Sequence, residues 1–352
     1  MILEDKKEAF VQLRAFLKQF TQQPYQQNPD VLFNDAFFEP FVSLIHQLHE
    51  SNSWFKREQL EFAFKSWSDA LTNDNLTKWV SAYDLKEDKL KTIGLILAGN
   101  IPMVGFHDIL SVLISGNKAL IKLSSNDALL IPFLLKYLST VRPQFKDRFE
   151  ITKDKLENFD AVIATGSDNT ARYFDYYFGK YPNIIRKNRN SVAVLNGSES
   201  KEDLIALSED IFRYYGLGCR NVSKLFVPKD YNFDNFFEGM FSQKDIIDDD
   251  KYANNYDYNK AVFLMSNFKL LDNGFMTIKE DTSYTSPISS VFYEFYDDLN
   301  DVKERLNTDK DKIQCIVSNQ IIENSLPFGS TQKPQLWDYA DNVDTMNFLL
   351  SL

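Results

Sequence analysis

From residue 91 onward the chain alternates short apolar runs with amphipathic stretches, and few architectures accept that pattern. Residues 93–98 form an apolar run that ends at Gly99-Asn100. A helical pattern fits 102–115, and Gly116-Asn117 breaks it. Residues 119–121 read as a second buried strand, with a helix over 127–138 behind it. Residues 161–164 give a third strand ending at Thr165-Gly166-Ser167, where another helix opens, and 191–195 give a fourth. Runs this short, spaced by helical segments and bounded by glycine, predict βαβ units and a parallel sheet.

The alternation continues beyond Gly197. A helix fits 202–215, and strands are expected at 225–227, 262–264, 288–295 and 313–317. This reads as a second α/β domain over 197–324. The first domain is expected over 1–196, rejoined by about 325–352. The chain ahead of residue 91 is different. Ala9, Phe10, Leu13, Phe16 and Leu17 recur at helical spacing, as do Phe41, Leu44, Ile45 and Leu48, so a helical N-terminal region is expected.

Composition narrows the function. A formal net charge of -11 argues against a general nucleic-acid binder, because neutralising phosphates needs a basic surface. No apolar run is long enough to span a bilayer, and the first residues carry no signal-peptide pattern, so a cytoplasmic protein is expected. Only two cysteines occur, Cys219 and Cys315, too few for a disulfide framework or a zinc cluster. The 30 Phe and 17 Tyr predict either aromatic-rich packing or an apolar pocket.

Several residues could carry chemistry. Cys219 stands in Tyr215-Gly216-Leu217-Gly218-Cys219-Arg220-Asn221, after a helix and before a strand. Its glycines permit close backbone approach, and Arg220 would favour a thiolate if its guanidinium faced the sulfur. The same residues also fit a buried structural cysteine. Cys315, mid-strand, is expected to be structural. Asn100 ends a strand where ligands sit in open α/β sheets, and its amide could donate to an oxyanion. Lys122 and Ser124 follow the second strand and could hold a ribose or its phosphate, or could be a solvated lysine and a helix cap. Gly166-Ser167 opens a helix whose N–H groups would suit a pyrophosphate. No G-x-G-x-x-G is present, so a dinucleotide site cannot rest on that fingerprint. His46 and His49 share a helix face without a third ligand, so no metal site is expected, and His107 reads as a helix histidine.

In order and spacing these segments resemble the aldehyde dehydrogenase superfamily. Ala98-Gly99-Asn100-Ile101-Pro102 resembles its Asn-Phe-Pro segment, Gly116-Asn117 through Lys122-Leu123-Ser124 its cofactor segment, and Thr165-Gly166-Ser167 its Thr-Gly-Ser turn. Gly218-Cys219 followed by Phe226-Val227 matches the nucleophile, and Pro327-Phe328-Gly329 a late Pro-Phe-Gly. The Gly-Asn-Ile-Pro form and the short chain are similar to the LuxC-like acyl-CoA reductase branch.

That resemblance implies an aldehyde dehydrogenase-like fold, with a parallel-sheet cofactor domain and an α/β catalytic domain. It implies Cys219 as nucleophile, Asn100 with the Cys219 backbone N–H as oxyanion hole, Lys122 and Ser124 at the adenosine ribose, and Gly166 and Ser167 at the pyrophosphate. The glutamate that activates water in oxidising members is absent from the matching stretch 185–191, and the one that holds the nicotinamide ribose is absent from 283–287. Loss of the water base suits reduction of an acyl-CoA to an aldehyde through an S-acyl cysteine. Lys122 with Arg186, Lys187 and Arg189 favours NADPH over NADH. Alternatives are an acyl-phosphate reductase, or a relay subunit that carries the acyl group without reducing it. A homo-oligomer is expected, with room for an acyl-activating partner enzyme.

Overall fold

A computed structural model describes residues 1–85 and 90–352. The chain divides into two compact units, Met1–Lys187 with Gln335–Leu352, and Asn188–Pro334. Among the described residues no helix is long and apolar enough to cross a membrane.

The first unit opens with four helices: α1 (Leu3–Lys18), α2 (Asn34–Ser51), α3 (Arg57–Ala70) and α4 (Asn73–Val80). It continues as β1 (Thr92–Ile96), α5 (Phe106–Ser115), β2 (Lys118–Lys122), α6 (Leu130–Val141), β3 (Phe149–Thr152), β4 (Ala161–Thr165), α7 (Asp168–Phe178) and β5 (Asn183–Arg186). The five strands are parallel, in the order β3-β2-β1-β4-β5. Strand order therefore reverses between β1 and β4, and the crevice at their C-terminal ends is where open sheets of this kind bind ligands. The abundant aromatics go largely into packing. Phe16 stacks on Tyr137 at 4.4 Å between ring centroids and meets Phe41 at 5.1 Å, all three buried.

The second unit holds β6 (Asn190–Val194), α8 (Lys201–Phe212), β7 (Val222–Pro228), α9 (Phe233–Met240), α10 (Asp250–Met265), β8 (Leu270–Asp272), β9 (Thr277–Glu280), β10 (Ser290–Tyr296), α11 (Leu299–Thr308) and β11 (Ile313–Ser318). Its sheet runs β11-β6-β7-β10-β9-β8, parallel except for the β8–β9 pair. The last helix, α12 (Thr345–Leu350), returns to the first unit.

Two expectations are corrected. Residues 262–264, read as a strand, lie in the last turns of the 16-residue α10. Only Phe263 of the three is buried, which a helix permits and a core strand does not. The strand at 191–195, counted with the first domain, pairs with β7 and β11 of the second sheet. An apolar run states that it is a buried strand but not which neighbour it pairs with.

Candidate active site

The C-terminal ends of β1, β2 and β4 gather five of the residues singled out from sequence. Asn100 lies in the turn between β1 and α5, where Met103 takes a left-handed φ of 58°. That turn presses against the segment after β2. A Cβ on Gly99 would stand 2.7 Å from both Cβ and Oγ of Ser124, so only glycine fits without displacement. Lys122 is the last residue of β2, and its Nζ donates to the Asp154 carbonyl at 3.1 Å. Ser124 Oγ accepts from Asn126 N at 3.3 Å and so caps a short 3₁₀ turn. Gly166 follows β4 with Thr170 and Phe174 close by, where a Cβ would approach them to 3.0 and 2.9 Å. Ser167 caps α7 by accepting from Thr170 N at 3.3 Å. These strand ends and the N-terminus of α7 lie at the edge where open parallel sheets bind ligands, and the turns there are packed too closely for a Cβ at Gly99 or Gly166.

Behind this edge lies Asp127, 4% exposed, with Oδ2 accepting from Met103 N at 3.4 Å and Oδ1 without a partner among the described residues. Burial pushes its carboxyl up to about 6, against the pull of the Met103 and Leu130 backbone N–H groups. Arg186 departs from expectation. It ends β5, is buried, and forms a two-pronged ion pair with Asp108 of α5, with Nη2 also donating to Thr345 Oγ1 at 3.2 Å. A guanidinium bound this way ties β5 to α5 and α12, so it is not the cofactor-phosphate ligand expected from its neighbours in sequence. His107 Nε2 meets the Leu336 carbonyl at 2.8 Å, with its ring between Trp79 and Tyr339. Among the described residues no group of three or more His, Cys, Asp or Glu is placed to hold a metal ion.

In the second unit, Cys219 is exposed on the turn that leads from α8 into β7. The backbone just before it is unusual. Tyr214, Tyr215 and Gly216 run consecutively at φ 54°, 58° and 75°. For each tyrosine that region costs about 1–2 kcal/mol, so the surroundings must hold it. Asn221 supplies much of that hold. Its Nδ2 donates to the carbonyls of Asp210, Ile211 and Arg213 at 3.1, 3.3 and 2.8 Å, and its Oδ1 accepts from Gly218 N at 2.8 Å. Ser191 Oγ, at the start of β6, donates to the Cys219 carbonyl at 3.0 Å. Arg220 Nη1 reaches a second cysteine. It lies 3.3 Å from the sulfur of Cys315, the buried cysteine in β11.

Polar groups surround the N-terminal ends of β6, β7 and β10. Asn190 Nδ2 donates to Thr285 Oγ1 at 2.8 Å, and Ser223 Oγ to the Tyr284 carbonyl at 2.7 Å. Lys224, fully buried, pairs with Glu294 at 2.6 Å, and burial holds its ammonium below the usual lysine range. Asp210 of α8 accepts from Gly329 N, Thr331 N and Thr331 Oγ1, at 2.6, 2.9 and 2.8 Å, and thereby docks the segment that carries Pro327-Phe328-Gly329. Burial raises its carboxyl, and these donors oppose the rise. Asn221, Ser191, Asp210 and Asp127 were not singled out from sequence. The one available signal was an acid inside the apolar run of α8, which marks a buried, partnered group.

The chain matches the protein family described as "Acyl-CoA reductase (LuxC)" over residues 40–240, more than half its length. It is 26% identical over 190 residues to "Long-chain acyl-protein thioester reductase 2" of Photobacterium leiognathi, a match covering 49% of this chain and 39% of that protein. The match thus spans well under half of that relative's length. Among solved structures, aldehyde dehydrogenase 21 of Physcomitrella patens superposes with a TM-score of 0.63 at 13% identity, over 91% of this chain and 74% of that one. The NADP-dependent glyceraldehyde-3-phosphate dehydrogenase of Bacillus halodurans gives 0.62 at 10% identity, over 90% of this chain and 74% of that one. These likenesses give the fold, that of the aldehyde dehydrogenases.

Proposed function

This chain belongs to the LuxC family of acyl-CoA reductases, and from that premise we propose that it reduces an acyl-CoA to an aldehyde through an acyl group held on Cys219. What carries the reading is the exposed Cys219 on a turn whose backbone is fixed from both sides by Asn221 and Ser191.

The steps follow from the residues. The Cys219 thiolate adds to the acyl carbonyl, and the C–S bond to coenzyme A breaks as that thiolate leaves. The Cys219 backbone N–H stabilises the oxyanion, the role that the family resemblance also implies for Asn100. Lys122 and Ser124 would hold the adenosine side of a nicotinamide cofactor, and Gly166 and Ser167 its pyrophosphate; bound in reduced form, it would supply the hydride to the acyl carbon on Cys219. The thiohemiacetal on Cys219 then collapses, releasing aldehyde and restoring the thiolate. No carboxylate occurs in 185–191, where oxidising members carry their water base, so the acyl group persists long enough to be reduced.

NADPH remains the proposed cofactor. With Arg186 engaged by Asp108, the support narrows to Lys122 and to Lys187 and Arg189. The first unit serves the cofactor and the second the acyl group. The reading extends to a cytoplasmic homo-oligomer supplied with acyl groups by an activating enzyme. The test is product analysis. Acyl-CoA with NADPH is expected to give aldehyde and coenzyme A in equal amounts, while acyl phosphate reacts more slowly. Preference for acyl phosphate, or for an acyl group presented on a protein thiol, would reassign the donor.

A further inference from the structure

The geometry points to Asn221 as the positioning residue of the nucleophile, acting through the backbone of Cys219 rather than by touching substrate. The inference rests on Cys219 being the acylated residue. Asn221 is 3% exposed, so its amide has no access to bulk water and must be satisfied internally. Helix α8 ends at Phe212, and the last carbonyls of a helix lack partners within it. Asn221 Nδ2 takes up the carbonyls of Asp210, Ile211 and Arg213. The other end of the same amide accepts from Gly218 N, and the Asn221 backbone N donates to the Gly218 carbonyl at 2.9 Å. One side chain therefore joins a rigid helix end to the residue immediately before the cysteine.

Between those two anchor points run the left-handed Tyr214, Tyr215 and Gly216. Without the amide, this stretch has easier conformations to relax into, and Gly218-Cys219 would move with it. Ser191 holds the other side of the cysteine peptide, through the Cys219 carbonyl. Together the two residues fix the Cys219 backbone N–H, the group proposed to face the oxyanion. Oxyanion stabilisation depends on a donor already in place, so its loss shows in the addition step more than in substrate binding.

The experiment uses the full chain. Single-turnover acylation by acyl-CoA, without cofactor, is followed by mass spectrometry, and alkylation of each cysteine by iodoacetamide is followed in parallel. Alkylation needs a reachable thiolate but no oxyanion donor. In folded Asn221→Ala, acylation of Cys219 should slow by about ten- to a hundredfold. Its alkylation should stay within about threefold of the unaltered protein, a difference far smaller than a tenfold step. Buried Cys315 reports on general loosening and should stay unlabelled. Ser191→Ala should slow acylation in the same way, and it decides the matter if Asn221→Ala fails to fold. Asn221→Asp keeps the acceptor for Gly218 N but faces three carbonyls with a carboxylate, and should not restore the rate. Unchanged acylation in the folded variants, or acylation and alkylation falling together, overturns the role of Asn221. If the unaltered protein carries its acyl group elsewhere, the nucleophile assignment fails instead.

Discussion

Single residues in this protein do their work through what burial makes them hold. Asp127 is the sharpest case. Its carboxyl is raised to about 6 from the ordinary 3.8, so the folded state keeps a proton that the unfolded chain releases between roughly pH 4 and 6. Stability attributable to this group therefore falls as pH rises through that window, by about 3 kcal/mol once complete. Asp127→Asn cannot ionise. Denaturant titrations should show the variant gaining on the unaltered protein by about that amount between pH 4 and pH 7.5. A difference that stays constant across the two pH values would mean that Asp127 is not the group responsible. Glycine and strand ends mark Cys219, Asn100, Lys122, Ser124, Gly166 and Ser167 as candidates in the sequence. The sequence does not mark Asn221 or Ser191, since nothing in a lone asparagine or serine states which carbonyl it will meet. For the same reason the sequence shows the charge of Arg186 but not that Asp108 takes it up.

At the scale of elements, the contrast is between strands that advertise themselves and strands that do not. Strands β1, β2 and β4 are covered by helices and read as unbroken apolar runs, which is why they were legible. Strands β3 and β8 sit at sheet edges, are partly exposed and are three or four residues long, so their pattern merges with loops. Two junctions between elements can be tested. Arg186 links β5, α5 and α12, and Arg186→Met leaves Asp108 buried without its ion pair. The variant should lose about 3–5 kcal/mol in chemical denaturation, and Asp108→Leu in the same chain should recover most of it. A loss below about 1 kcal/mol would place the pair among weak surface contacts. The contact of Gly99 with Ser124 joins the β1 and β2 edges. Gly99→Ala should cost about 1–3 kcal/mol in chemical denaturation, and Ser124→Gly added to it should relieve the clash and restore part of the loss. Independent effects of the two substitutions would mean that the two segments do not press on one another.

The whole molecule was legible as an aldehyde dehydrogenase-like α/β fold because motif order survives even where individual motifs drift. The sheet order β3-β2-β1-β4-β5 brings Asn100, Lys122, Ser124, Gly166 and Ser167 to one edge, although 67 positions separate the first from the last. The second sheet brings Ser191 of β6 to the peptide of Cys219 ahead of β7. Which unit claimed β6 was not legible, because strand pairing is decided by contacts distant in sequence. The account as a whole stands on an acyl group that forms on Cys219 and leaves by reduction, and one mass measurement addresses it. The protein is mixed with acyl-CoA alone, its intact mass and acylated peptide are determined, and NADPH is then added. The account predicts one acyl mass on the Cys219 peptide, none in Cys219→Ser, the same label in Cys315→Ser, and loss of the label on adding NADPH with an equal yield of aldehyde. A label that forms equally in Cys219→Ser, or that NADPH leaves in place while free acid accumulates, would contradict it.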